Sequence, residues 1–198
     1  MPKLLYQGHG SFRLTTDGGT VIYIDPFCGT GYDVPADIIL VTHQHDDHNQ
    51  LSLITQKPDC AVISNVEALA GGQHNTFDVS GVRIEAVEAG YNQGHTVADS
   101  VGFIITCDGL QLYFCGDTST TPQMATFAAR KLDYAFLCAD GYYNMGLHEA
   151  AACAAQIGAK HNVPVHLKPG ELFDMDMAEQ FDAPNKMIFI AGEEYDLT

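Results

Sequence analysis

Residues 41–50 read VTHQHDDHNQ, so His43, His45 and His48 stand with Asp46 and Asp47 inside six positions, directly after the apolar run DIILV. Imidazole and carboxylate groups are suitable ligands for Zn2+, Mn2+ or Fe. At a strand end, residues i and i+2 point to the same side, so His43 and His45 are placed to share one ion. Asp47 and His48 follow at the expected start of a helix, turned toward a neighbouring point suited to a second ion. A helix cap would account for Asp47, but not for three histidines in register. One loop leaves each ion short of ligands. His95 in NQGHTVADS, Asp117 at the end of LYFCGD and His166 in VPVHL are the remaining candidates. Each lies where a strand gives way to a loop, the usual place for sites in layered α/β folds. Taken singly they read as ordinary loop residues; their order and placement beside the first cluster make them candidates.

The elements that must carry these residues are legible as patterns. KLLYQ, SFRLTT and TVIYIDP are short β-type runs punctuated by Gly and Asp. ADIILVTH is nearly unbroken apolar sequence, the pattern of a strand buried on both faces. NQLSLITQ reads as a short helix, CAVIS as a strand and NVEALAGG as a helix ending at glycine. NTFDVSGVRIEAVEA and SVGFIITCDGLQLYFCGD are strand-like, with Asp108-Gly109 as a hairpin turn. Beyond it, TPQMATFAARKL is helical, DYAFLCAD a strand, HEAAACAAQIGAKH an Ala-rich helix and NVPVHL a strand. KMIFIAGEEYDL closes the chain as an expected β-hairpin. Strands and helix recur twice without a break, which predicts one layered domain over residues 1–198.

Bulk properties narrow the function classes. The 198 residues suffice for one sizeable core, and hydrophobic residues make up 46%. A formal net charge of -16 repels phosphate backbones, so no broad nucleic-acid face is expected. A small anionic substrate remains compatible, because bound metal reverses the sign locally. The six cysteines form no CxxC pair and read as buried, reduced thiols. MPKLLYQGHG has no signal-peptide core and no 18-residue apolar run occurs, so a cytoplasmic protein without membrane contact is expected. A homo-oligomer is compatible with the composition.

THQHDDH fits the HxHxDH signature, and with YIDPF, GHT, FCGDT and PVHL in that order the chain resembles the metallo-β-lactamase superfamily over almost its whole length. GHGSF and NMGLHEA are similar to the branch of compact hydrolases that includes the ascorbate-phosphate lactonases. The resemblance implies an α+β fold, a four-layer αββα sandwich. It implies that His43, His45 and His95 hold one divalent transition-metal ion, that Asp47, His48 and His166 hold a second, and that Asp117 bridges them. Zn2+ is the leading identity, with Mn2+ or Fe as alternatives. The β-lactamases themselves carry Cys at the position of Asp117, which argues against antibiotic hydrolysis. The flavodiiron branch has Glu at the position of His45, which argues against a redox role.

In such a site two ions sit roughly 3.5–4 Å apart and share a water or hydroxide, the nucleophile. The expected reaction is hydrolysis of a small ester, lactone or phosphodiester. Asp47 orients the nucleophile while ligating. Asp25, in YIDPF, is the candidate carboxylate behind a ligand imidazole. His9 is expected beside the site without ligating, and His148 or Tyr143 as proton donor to the leaving group. His74 and His161 read as solvated, with His161 at a helix C-terminus. Two alternatives remain at this level: a ribonuclease Z-like RNA-processing phosphodiesterase, which uses the same ligand set but is disfavoured by the charge, and a metal-binding or sensing protein without turnover.

Overall fold

A computed structural model describes residues 1–198. The first half of the chain supplies β1 (Lys3–Gly8), β2 (Ser11–Thr15), β3 (Val21–Ile24), β4 (Ala36–Val41), β5 (Gln56–Ser64) and a short helix α1 (Asn65–Ala68). There follow β6 (Thr76–Val79), β7 (Val82–Glu88), β8 (Val101–Cys107), β9 (Leu110–Phe114), β10 (Tyr134–Cys138), α2 (Leu147–Ile157), β11 (His161–Val165), α3 (Met175–Gln180) and β12 (Glu194–Asp196). Two six-stranded sheets result, ordered β12-β1-β2-β3-β4-β5 and β11-β10-β9-β8-β7-β6. Within them β3-β4-β5 and β9-β10-β11 run parallel, and the remaining neighbours antiparallel.

Side-chain alternation explains the layering. In β4, Ile38 and Leu40 enter the core between the sheets, whereas Ile39 and Val41 pack on the outer face. In β10, Tyr134 and Phe136 enter that core, and Ala135 and Leu137 face the helical layer. A strand with both faces covered is apolar throughout. The helical layer over the second sheet contains α2, α3 and a long 3-10 segment, Pro122–Arg130. Over the first sheet the outer layer is thin: the 3-10 turn Leu51–Leu53 and the loop carrying Tyr32 and Val34. The architecture is the expected αββα sandwich.

Asp108-Gly109 makes the expected hairpin between β8 and β9, both residues having positive φ, 49° and 81°. Several local expectations are corrected. No helix begins at Asp47; residues 46–48 form a turn, and NQLSLITQ yields three residues of 3-10 helix before β5. His161 is the first residue of β11, because α2 stops at the left-handed Gly158. KMIFIAGEEYDL is no hairpin; Met187–Ile190 form no strand, and β12 pairs with β1 across the whole chain length. The helix α3, capped by Asp174, was not expected from the pattern. All six cysteines are free thiols, with Cys28 and Cys60 half-buried and the rest buried.

Candidate metal centre

The C-terminal ends of the parallel strands β3, β4, β9 and β11 meet at one edge of the sandwich, and the chain beyond each carries a candidate residue: Asp25, His43, Asp117 and His166. The loop between β7 and β8 adds His95, and the turn after β4 adds His45, Asp47 and His48. Backbone bonds across the sheets hold this edge together: Val101 N–H donates to Thr42 O at 3.0 Å, and His166 N–H to His9 O at 2.9 Å. His9, Asp25 and His166 have positive φ of 57°, 45° and 47°. Left-handed backbone at non-glycine residues costs of order 1–3 kcal/mol each and persists only where surroundings enforce it. Gly10 is the space that admits His48, since a Cβ there would lie 3.1 Å from His48 Cε1.

The donor atoms form two sets. His43 Nε2 and His95 Nε2 lie 3.1 and 3.2 Å from His45 Nδ1. Asp47, His48 and His166 form the second set, with His9 beside them. Asp117 lies between: Oδ1 is 3.3 Å from His48 Nε2, and Oδ2 is 3.4 Å from both His95 Nε2 and His166 Nε2. The structure thus brings together the residues that the resemblance sorted into two sets, with Asp117 between them.

The far side of each ring decides which nitrogen is free. His48 Nδ1 faces Asp25 Oδ2 at 2.9 Å, and a carboxylate accepts, so Nδ1 carries the proton. His95 Nδ1 donates to Asn92 Oδ1 at 2.9 Å, and His166 Nδ1 faces Asp140 Oδ2 at 3.1 Å. Thr42 Oγ1 donates to Asp25 Oδ2 at 2.7 Å and therefore accepts from His43 Nδ1 at 3.0 Å. Hydrogen bonds thus set three imidazoles, His43, His48 and His95, with Nε2 lone pairs inward, and the Asp140 carboxylate beside His166 Nδ1 turns the fourth ring the same way. His48 Nε2, His166 Nε2 and Asp117 Oδ1 are buried with no hydrogen-bond partner. Buried polar atoms left unpaired cost about 1–3 kcal/mol each, so a convergent set of them fits a divalent cation. The donor chemistry, nitrogen with carboxylate oxygen, suits Zn2+, Mn2+ or Fe.

Charges follow the same arrangement. Burial and the nearby His48 push the His43 imidazole down to about 2, keeping it a neutral lone-pair donor. Burial likewise lowers His95, outweighing Asp117. Burial works against ionised Asp117, yet His166 and His48 hold its carboxyl well below the usual range. For Asp47 burial is again overcome, by the His9 hydrogen bond and by His48. His48 and His166 are raised despite burial, chiefly by Asp117.

His9 is fully buried, its Nδ1 donating to Glu171 O at 3.0 Å and its Nε2 3.2 Å from Asp47 Oδ2. It belongs to the same group of possible ligands as Asp47, His48 and His166, and it steadies Asp47 from behind. Asp25 does the same for His48. Asp140 and Asn144 escaped the sequence reading. Asp140 Oδ1 accepts the backbone N–H groups of Tyr142, Tyr143 and Asn144 at 2.6, 2.7 and 3.2 Å, while Asn144 Nδ2 donates to Asp117 Oδ2 and Asp140 Oδ2, both at 2.8 Å. The available signal was an Asp followed by a turn, ADGYYNMG, which alone reads as an Asx turn. His148 is displaced from its expected role: it lines a groove between α2 and residues 180–184, with none of the metal-centre residues. Tyr143, by contrast, lines the open cavity of ≈ 400 Å³ above Asp47, His95, Asp117 and His166.

Comparison with known proteins identifies the family. The family model described as "Beta-lactamase superfamily domain" matches residues 3–166. A UPF0173 metal-dependent hydrolase of Geobacillus sp. (strain WCH70) is 31% identical over 195 aligned residues, covering 83% of this chain and 84% of its own. A UPF0173 metal-dependent hydrolase of Thermococcus kodakarensis is 28% identical, with full coverage of both chains. A crystal structure from Parabacteroides distasonis, described as a metal-dependent hydrolase, superposes with a TM-score of 0.76 at 29% identity, covering 94% of this chain and 92% of that one. In fold alone, the chain is also similar to Igni18, a metallo hydrolase of Ignicoccus hospitalis, with a TM-score of 0.76 at 21% identity and coverage of 100% and 99%. The chain belongs to the beta-lactamase superfamily.

Proposed function

Starting from that membership, we propose that the protein is a binuclear metal-dependent hydrolase of a small ester, lactone or phosphodiester. The observation that carries this reading is the pair of donor sets with Asp117 between them and three imidazoles held by hydrogen bonds to offer Nε2 inward. A structural ion needs only one closed set of four ligands; two adjoining sets beneath an open cavity support chemistry. Divalent ions held there supply Lewis acidity and lower the pKa of water from about 15.7 to about 7.

The chain's own residues do the rest. Asp47 is the half-exposed member of the set, its side chain 36% exposed at the cavity floor. It accepts a hydrogen bond from the attacking water and aims it. His9 fixes the Asp47 carboxylate through Oδ2. Tyr143 and Pro169 wall the cavity, and the Tyr143 hydroxyl is the group available to donate to a leaving oxygen. Buried Asn144 keeps Asp117 from swinging away, so the substrate meets preset charges.

The test is metal analysis by mass spectrometry joined to a chromogenic panel. About two transition ions per chain and turnover of an ester, lactone or phosphodiester are expected. A folded preparation that takes up no ion overturns the reading, as does a dimetal preparation inert across the panel. No helix of the structure is long and apolar enough to cross a membrane.

A further inference from the structure

A second cavity, ≈ 270 Å³, adjoins the first. Both are lined by His45, Gly94 and His95, so these residues form the wall between them. The second cavity has no apolar lining residue; beyond that wall it is faced by Gln44, Asn65, Asp99 and Ser100, with His43 behind. These polar groups are ordered by one another. Gln44 Nε2 donates to Asn65 Oδ1 at 2.9 Å, Asn65 Nδ2 to Asp99 O at 2.8 Å, and Ser100 Oγ to Asp99 Oδ1 at 3.1 Å. The Asp99 carboxylate has no cationic partner.

Neither cavity is lined by a lysine or arginine. Several cations are committed elsewhere: Arg13 to Asp33 and Glu194, Lys57 to Asp37, Arg130 to Glu85, Lys160 to Asp133. Lys168, adjacent in sequence to Pro169 of the first cavity, is tied to Glu171 at 2.6 Å and lies 3.9 Å from Asp174. Ions at the metal centre compensate the charge of the reacting group, but a phosphate elsewhere on the substrate would meet Asp99 and a chain of net charge -16.

Resting on the hydrolase reading above, we propose that the substrate is an electrically neutral, hydroxyl-bearing lactone or ester, whose hydroxyls bind the polar pocket of Gln44, Asn65, Asp99 and Ser100 beside the metal centre. Hydroxyl groups both donate and accept, which matches a pocket mixing carboxylate, amide and hydroxyl. In the reaction, water adds to the acyl carbon and the acyl C–O bond breaks. The departing oxygen leaves as a hydroxyl with one water proton, and the acid formed releases its proton to solvent.

The test compares three probes on the dimetal enzyme: D-ribono-1,4-lactone, its 5-phosphate, and hydroxyl-free γ-valerolactone. The neutral ribonolactone is expected to exceed both others at least tenfold in kcat/KM. Raising the salt concentration should increase kcat/KM for the phosphate and leave the neutral lactone unchanged, because screening relieves repulsion. Asp99→Asn should lower KM for the phosphate and raise it for ribonolactone, with kcat for each within about threefold of wild type. Equal or better turnover of the phosphate, or of γ-valerolactone, overturns this inference while leaving the hydrolase reading intact. No turnover of any ester, lactone or phosphodiester overturns both.

Discussion

Asp25→Asn exchanges one oxygen for an NH2 group, and the hydrogen bonds around it dictate the consequence. Asp25 Oδ1 accepts the Thr42 backbone N–H at 2.7 Å, so the carbonyl oxygen of the new amide stays there. Its NH2 then replaces Oδ2, facing Thr42 Oγ1 and His48 Nδ1 at 2.7 and 2.9 Å. A donor now meets His48 Nδ1–H. The ring resolves the conflict by moving its proton to Nε2, the nitrogen that faces Asp117 and the metal centre. A ligand nitrogen carrying a proton binds no metal, so occupancy must reverse the tautomer and leave two donors opposed. Losing such a partner typically costs 10–100-fold in metal affinity, about 1.4–2.7 kcal/mol. The loss should fall on the set containing His48, so chelator competition is expected to show one ion held as in wild type and one held 10–100-fold more weakly. Circular dichroism of the metal-free variant controls for folding. Two ions bound at wild-type affinity by a folded variant would refute the tautomer argument.

Two further outcomes rest on other contacts. Asn144→Leu keeps the volume but removes the donor shared by Asp117 and Asp140; metal affinity should fall 10–100-fold and metal-free stability by about 1–3 kcal/mol, read by chelator competition and urea melts. Near the start of β4, Asp37 accepts from Lys57 Nζ at 2.7 Å and Val21 N–H at 2.8 Å, and these partners hold its carboxyl below the usual range although burial opposes them. A depressed carboxyl stabilises the fold above its unfolded pKa of about 3.9, and that stabilisation is lost as pH falls through the folded value. Asp37→Asn should therefore cost up to about 1 kcal/mol at pH 7, where the partly exposed pair is screened by solvent, and the cost should vanish at the acid end of a pH series of melts.

The first cluster was legible from a local rule, and the later candidates from their order and strand-end placement beside it. HxHxDH sits after an unbroken apolar strand, and Asp117 and His166 also come after apolar runs, so residue type and strand end coincide. Asp140 and Asn144 obey no such rule. They serve the site only because β10 lies between β9 and β11 in the second sheet, which brings the turn after β10 against Asp117 and His166. His148 failed for the converse reason: it is two residues from Gly146 in sequence, but α2 carries it to a groove outside the centre.

The amino-acid sequence by itself determined the positions of the candidate His and Asp residues and the strand-rich segments, because apolar periodicity and residue spacing are local properties of a chain; the αββα sandwich and the sorting of those residues into two ligand sets were implied by the resemblance to the metallo-β-lactamase superfamily. Tertiary structure decided how the His48 ring is turned, that Asp117 Oδ2 reaches both donor sets while Oδ1 faces His48, and that a polar cavity free of cations adjoins them. Whereas the Asn92–His95 and Thr42–His43 contacts are local, these features depend on distances between residues far apart in sequence, and such distances exist only once the two sheets have packed.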